Sequence, residues 1–175
     1  MLALGDFVYN NVVRCFKKMN NYTVNKATIE DFSIVSKLES ELLKDFNERS
    51  GSNFIIDVSK IETTCKELLP RENFAGFIAL DNRMNKAVGI ITIAQATAIY
   101  NGGDFGVITE LYVDRSIRGD GIGKLLIESA LEFARTKNWK KVEVGAPNKD
   151  EWPRTIDFYK KNGFEEKGPK LRIAI

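Results

Sequence analysis

The stretch from Ile108 to Ala134, ITELYVDRSIRGDGIGKLLIESALEFA, constrains the fold more than any other part of the chain. Val107, Ile108, Leu111 and Val113, with Tyr112, form a short apolar, β-prone run of strand length. The loop from Asp114 to Gly123 follows, with Gly119, Gly121 and Gly123 packed into five residues. Beyond it, Ile122, Leu125, Leu126, Ser129, Ala130, Phe133 and Ala134 recur at the spacing of one helix face, with Lys124, Glu128, Glu132 and Arg135 turned outward. Glycines just before a helix N-terminus let backbone N–H groups crowd around an anion, and the helix end adds roughly half a positive charge. A plain strand-to-helix turn needs one glycine for a positive φ. Three glycines and a basic residue predict a phosphate site, which also absorbs the adhesion-like tripeptide Arg118-Gly119-Asp120.

Two nucleotide loops are excluded by position. A Walker A loop would need glycine where Arg118 stands and Ser or Thr in place of Leu125, and a dinucleotide G-x-G-x-x-G would need glycine in place of Lys124. What remains is Arg118-x-x-Gly121-x-Gly123 directly after a strand ending Leu-Tyr-Val, within ELYVDRSIRGDGIGKLL from Glu110 to Leu126. This resembles the acyl-CoA pyrophosphate loop of the GNAT N-acetyltransferases. A second match, Asp157-Phe-Tyr-Lys-Lys-Asn-Gly-Phe164, resembles the closing helix and FYxKxGF ending of the same family.

The resemblance implies a GNAT-like α/β (α+β) fold. Its sheet would be mixed and mostly antiparallel, of six to seven strands, with helices on both faces and a splay between the strands at 107–113 and 141–146. It implies acetyl-CoA as cofactor, with CoA as product. Backbone groups of Arg118, Gly119, Asp120, Gly121, Ile122, Gly123 and Lys124 would hold the pyrophosphate. Main-chain groups of Leu111 and Val113 would pair with the extended pantetheine arm, and an N–H near Leu111 would polarise the thioester carbonyl.

The rest of the chain fits one domain. At 175 residues it is long enough to bury about 70% of the surface its unfolded form exposes. We divide it into an N-terminal extension at 1–18, read as helical from the spacing of Leu4, Val8, Val12, Cys15 and Phe16, and a single N-acetyltransferase domain at 19–175. The extension is too short and too interrupted by Asp6, Asn10 and Asn11 to span a membrane, and it lacks the marks of a signal peptide. A net charge of +2 argues against a nucleic-acid partner. Cys15 and Cys65 lack metal-ligand spacing, so we expect reduced thiols, no metal and a cytoplasmic setting. Oligomeric state stays open, with a homodimer through the extension as one alternative.

Thr28-Ile-Glu-Asp31 opens a helix whose stripe is Phe32, Val35, Leu38, Leu42 and Phe46, and a second helix runs over about 59–69 to Pro70. By resemblance, this pair forms part of the acceptor pocket. Strands are predicted at 22–27, 74–80, 87–99, 105–113 and 141–144, with short ones at 164–166 and 171–175. Pro153 and Asn162-Gly163 bracket the last helix.

The chain contains no histidine, which excludes Ser-His-Asp and Cys-His nucleophilic systems. Any base must come from a carboxylate, a lysine, a tyrosine, water or substrate. A primary alkylamine has a pKa near ~10.4, so a base helps to bare it. Glu110 is the candidate, acting through water, against the plainer role of a solvent-facing strand glutamate; Glu143 is the reserve. Period two puts Glu110 and Tyr112 on one face and Leu111 and Val113 on the other unless a bulge intervenes. Tyr159, at the FY position, faces the cofactor sulfur by resemblance and would protonate the departing thiolate; its plainer role is core packing. Where the family often carries Asn seven residues before this tyrosine, the chain has Trp152. The expected activity is acetyl transfer to a primary amine of a small molecule by direct attack in a ternary complex. A protein N-terminus or lysine as acceptor, and a non-catalytic acyl-CoA sensor, are the alternatives.

Overall fold

The computed structural model describes residues 15–19, 21–147, 149–168 and 173. Strands β1 (Cys15–Met19) and β2 (Tyr22–Lys26) lead into helices α1 (Phe32–Ser50) and α2 (Val58–Leu68). Strands β3 (Phe74–Asp81), β4 (Lys86–Ala98) and β5 (Gly103–Val113) follow. Helix α3 (Ile122–Thr136), strand β6 (Val142–Val144) and helix α4 (Pro153–Lys161) complete the order. The sheet runs β1-β2-β3-β4-β5-β6, antiparallel throughout except for the parallel pair β5/β6. That exception follows from the connection, because a return through a helix brings a strand back in parallel.

The strand β1 is a correction to the sequence reading. Residues 15–18 belong to a strand paired with β2 rather than to a helical extension; residues 1–14 of that extension lie outside the described residues. Their apolar spacing was compatible with a helix, but a strand partner a tight turn away decides otherwise. Residues 164–166, predicted as a short strand, form no strand. The other predicted one, 171–175, lies outside the described residues apart from Ile173.

Each face of the sheet buries its own core. Val24, Phe77, Ile91, Ile93 and Ile108 pack with Leu126, Ala130 and Phe133 of α3, and with Tyr159 of α4. On the opposite face Ile78, Ile90 and Tyr112 pack with Val35 and Leu38 of α1 and with Cys65 and Leu69 near α2. Alternation along β3 and β4 feeds both cores at once, which is why these central strands read as continuous apolar runs. Burying one such Ile or Phe stabilises the fold by roughly 1.5–3 kcal/mol. Among the described residues no helix is long and apolar enough to cross a membrane.

Candidate active site

Two local events in β5 build the site. The first is a bulge. Thr92 of β4 faces Glu110, yet Ile93 faces Ile108, so Thr109 is an extra residue with no partner opposite. Side chains therefore change phase at Thr109. Ile108 points into the α3 core, whereas Glu110 and Tyr112 point toward α1 and α2. Glu110 and Tyr112 share a face, as period two requires, but the bulge chooses which face.

The bulge also turns the backbone. Before it, the Gly106 N–H donates to the Lys141 carbonyl on the β6 side at 3.0 Å. After it, the Glu110 N–H donates to Thr92 Oγ1 at 3.1 Å and the Asp114 N–H to the Val88 carbonyl at 2.8 Å, both toward β4. By alternation the N–H groups of Leu111 and Val113 now face away from β4. The second event is the end of pairing with β6. The parallel register stops at Ile108↔Val144, so the sheet splays where β5 continues to Val113. The edge of β5 beyond this pairing is thus lined by the main chain of Leu111 and Val113.

The splay leads to the glycine loop. Asp114 Oδ1 accepts the Ser116 N–H at 3.0 Å and starts a short 3-10 turn, after which Gly119 and Gly121 take φ of 104° and 85°. Gly121 caps α3 without offering a side chain. The Leu125 N–H bonds the Gly121 carbonyl at 3.1 Å, so the N–H groups of Ile122, Gly123 and Lys124 precede the first intrahelical bond and remain for a ligand. Gly123 leaves room that matters, since a Cβ there would lie 2.9 Å from Phe158 Cζ of α4. A bare, uncapped helix N-terminus in a left-handed glycine cradle fits a diphosphate.

The side chains of Arg118 and Asp120 do a different task. Arg118 donates from Nε to the Val113 carbonyl at 2.8 Å and from Nη2 to Asp45 Oδ2 at 2.9 Å. Arg115 donates from Nε to the other oxygen of Asp45 at 2.6 Å and from Nη2 to Glu48 at 2.6 Å. Asp45 is a buried carboxylate of α1 hydrogen-bonded to these two guanidinium groups, with that of Arg49 at 3.7 Å as a third. On the far side Asp120 Oδ2 accepts the Tyr22 hydroxyl at 3.0 Å; that hydroxyl also accepts from Arg83, which pairs with the buried Asp81 at 2.8 Å. Both loop side chains brace the loop against the body of the protein. The exposed Lys124 side chain lies 3.9 Å from Glu128.

Across the sheet from α3 lies a cleft of about 270 Å³ between α1, α2 and strands β4–β5. Its walls include Val35, Leu43, Ile61, Leu68 and Phe74, and Glu39, Thr92 and Glu110 enter it together. A closed run of hydrogen bonds fixes Glu110. Its own N–H donates to Thr92 Oγ1, the Thr92 and Thr109 hydroxyls lie 2.7 Å apart, and Thr109 Oγ1 donates to Glu110 Oε2 at 2.6 Å. Such a ring polarises each member in one sense. Burial pushes the Glu110 carboxyl up from its ordinary range, and the Thr109 bond pulls it partly back. Glu39 is pushed up to about 8, first by burial and then by the charge of Glu110. Cys65 is pushed up to about 11 by burial and by these carboxylates, so its thiol stays protonated.

Glu39, Thr92 and Thr109 escaped the sequence reading. A signal for Glu39 existed: it sits four residues after Val35 and three before Leu42, on the apolar face of α1. The reserve base Glu143 is exposed, paired with Lys141 at 2.6 Å, and does not line the cleft.

Tyr159 is buried at the α4 end of the α3 core between Phe158 and Phe164, with ring centroids 5.5 Å away on each side. Burial pushes its phenol up to about 12. Its hydroxyl makes no hydrogen bond among the described residues. The neighbouring Phe158 ring abuts Gly123, so α4 is docked on the N-terminus of α3. Trp152 stacks on Phe46 of α1 at 5.4 Å, with the Arg49 guanidinium 3.7 Å from its ring, and so serves as a latch between α4 and α1.

Comparisons with known proteins agree with this geometry. The family model described as the acetyltransferase (GNAT) domain matches residues 72–166, which span β3 to the end of α4. An uncharacterised N-acetyltransferase of Methanocaldococcus jannaschii is 47% identical over 170 residues, covering 94% of this chain and 70% of that protein. An aminoglycoside acetyltransferase from an uncultured soil metagenomic sample, solved with trehalose, superposes with a TM-score of 0.69 at 25% identity, covering 89% of this chain and 97% of that one. A predicted acetyltransferase of Clostridium acetobutylicum, solved with acetyl-CoA, superposes with a TM-score of 0.71 at 23% identity, covering 87% and 96%. With the loop, the splayed mixed sheet and these matches in agreement, the chain belongs to the GNAT family and is an acetyltransferase.

Proposed function

We propose that the protein transfers an acetyl group from acetyl-CoA to the primary amine of a small molecule by direct attack in a ternary complex. One observation carries this reading. The Thr109 bulge sends the Glu110 carboxylate into the cleft between α1 and α2 and, in the same stroke, turns the Leu111 and Val113 N–H groups to the splay. This supports an acceptor site on the α1/α2 face of the strand beside a cofactor edge at its free side.

When bound, acetyl-CoA supplies an acetyl group activated as a thioester. The N–H groups of Ile122, Gly123 and Lys124 at the α3 N-terminus, beside the Gly119 and Gly121 backbone, would hold the diphosphate, with the Arg118 and Asp120 side chains fixing the loop's shape. The main-chain groups of Leu111 and Val113 would pair with the extended arm as an added strand would, and the Leu111 N–H would be the donor that polarises the thioester carbonyl. Glu110 Oε1 or Oε2 accepts a proton from the incoming ammonium group, directly or through water. Its raised pKa suits a base working near neutrality better than a fully solvated glutamate would. Tyr159 Oη would donate a hydrogen bond to a departing thiolate, whose conjugate acid lies near ~8.5; burial, which pushes the phenol up to about 12, favours that bond over full proton transfer. The solved aminoglycoside acetyltransferase and the protein solved with acetyl-CoA support a small amine and this cofactor.

The test is thiol release from acetyl-CoA against a panel of amines, run beside calorimetry of CoA binding. Turnover with an amine together with CoA binding supports the reading. CoA binding without turnover on any small amine rejects the acceptor, and absence of CoA binding rejects the reading of the loop.

A further inference from the structure

The cleft has a chemical character that narrows the acceptor. Its walls are hydrocarbon: Val35 and Leu43 from α1, Ile61 and Leu68 from α2, and Phe74 from β3. The rim continues this, for Ile55 lines the mouth while 92% exposed, and Phe54 and Val58 beside it are each 49% exposed. Large apolar side chains left in water around a concave opening are the mark of a surface that meets an apolar partner.

Polar capacity inside is scarce. Thr64 Oγ1 already donates to the Lys60 carbonyl at 2.9 Å, and Thr92 Oγ1 belongs to the ring that fixes Glu110. Asp57 is occupied as the cap of α2, accepting the Lys60 N–H at 3.0 Å. The Lys60 side chain lines the same end and would repel a second cation. Glu39 stands apart from all of these. It makes no hydrogen bond or ion pair among the described residues, whereas Asp45, two turns further along α1, is saturated by arginines. Besides the capping Asp57, two carboxylates, Glu39 and Glu110, therefore enter the cleft, and among the described residues Glu39 has no cation paired with it.

We propose that this cleft selects a primary amine carried on a compact apolar body, with Glu39 and Glu110 together receiving the amine head group. The proposal rests on the acetyl-transfer reading for the role of Glu110, and adds Glu39 as a binding residue and the class of acceptor. A polyhydroxylated amino sugar would leave its hydroxyls without partners, which costs most in a dry site. A polyamine would set a second ammonium against hydrocarbon or Lys60. A monoamine with an alkyl chain or one aromatic ring matches both halves of the cleft.

The experiment measures amine binding to the CoA-loaded protein by calorimetry, with butylamine, hexylamine, 2-phenylethylamine, spermidine and glucosamine. Each buried methylene should raise affinity about fourfold, so hexylamine should bind about 15-fold tighter than butylamine. Spermidine and glucosamine should bind at least tenfold more weakly than hexylamine. Glu39→Gln should weaken hexylamine at least tenfold while leaving CoA affinity unchanged. Affinity flat with chain length, spermidine or glucosamine as the tightest ligand, or undiminished hexylamine binding in Glu39→Gln overturns the proposal. The chain-length series uses the unmodified protein and does not depend on any variant folding. Hexylamine that binds with this profile but is never acetylated refutes the transfer reading and leaves the selectivity standing.

Discussion

Replacing Glu39 by glutamine should stabilise the protein in a pH-dependent way. Glu39 is raised from an ordinary 4.5 to about 8 by loss of water first and by the Glu110 charge second. At ~1.36 kcal/mol per pH unit, that difference corresponds to at most about 5 kcal/mol. The side chain keeps part of its water contact, so about half, ~2–3 kcal/mol, is the working value. The sign follows from linkage. The folded state holds the Glu39 proton more tightly than the unfolded state does, so stability is full below pH 4.5 and is lost as pH rises to about 8. Glutamine keeps the volume and has no charge to desolvate. The groups facing Glu39, namely Glu110, Cys65, Asp57 and Lys60, are present in both proteins. The two proteins should therefore melt together near pH 5 and diverge toward pH 9. There Glu39→Gln should be stabler by ~2–3 kcal/mol, or roughly 4–12 °C for a chain of this size. Denaturant melts at pH 5, 7 and 9 read the difference directly. A gap that stays constant across that range, or one that favours the wild type at pH 9, would refute the burial argument. Glu110→Gln should recover a smaller part of the same gain, because its charge is the second cause.

Three further perturbations separate the other roles. Tyr159→Phe removes a hydroxyl that makes no hydrogen bond among the described residues, so melting should move by under about 1 kcal/mol. Its kcat with a responsive amine should fall by ~10²-fold or more, and full turnover would leave Tyr159 as a packing residue. Gly123→Ala drives a Cβ to 2.9 Å from the Phe158 ring and displaces the first turn of α3. It should weaken CoA at least tenfold by calorimetry and destabilise the fold by ~1–3 kcal/mol; unchanged CoA affinity would remove those amides from the diphosphate site. Thr109→Val deletes the hydrogen bond that lowers the Glu110 carboxyl. The acidic limb of kcat/KM should move to higher pH, and an unmoved limb would show that another group is the base.

Local elements were legible because their causes are local. The spacing from Ile122 to Ala134 gave α3 its buried face, and Pro153 and Gly163 bracket α4 as expected. The turn-rich separators at 81–85 and 101–104 become hairpins, and the glycines at 119 and 121 take left-handed φ in the loop. The edges of this legibility are informative. Cys15–Met19 has apolar spacing compatible with a helix, but pairing with Tyr22–Lys26 makes it a strand, and pairing is a property of two segments. The sequence places Arg118 in the loop through its backbone and is silent about its side chain; the fold directs that guanidinium to Asp45, 73 residues away.

The Thr109 bulge marks the boundary most sharply. The sequence by itself determined that a strand precedes a glycine cradle and a helix, that no histidine can serve as base, and that Glu110 shares a face with Tyr112. It is silent about which face, because the extra residue exists only relative to β4 opposite it. Tertiary structure decided that register, and with it the direction of the Glu110 carboxylate, the exposure of the Leu111 and Val113 amides, and the meeting of Glu110 with Glu39. Periodicity reports how one segment repeats, whereas a site is made where segments distant in the chain are forced by packing to share one space.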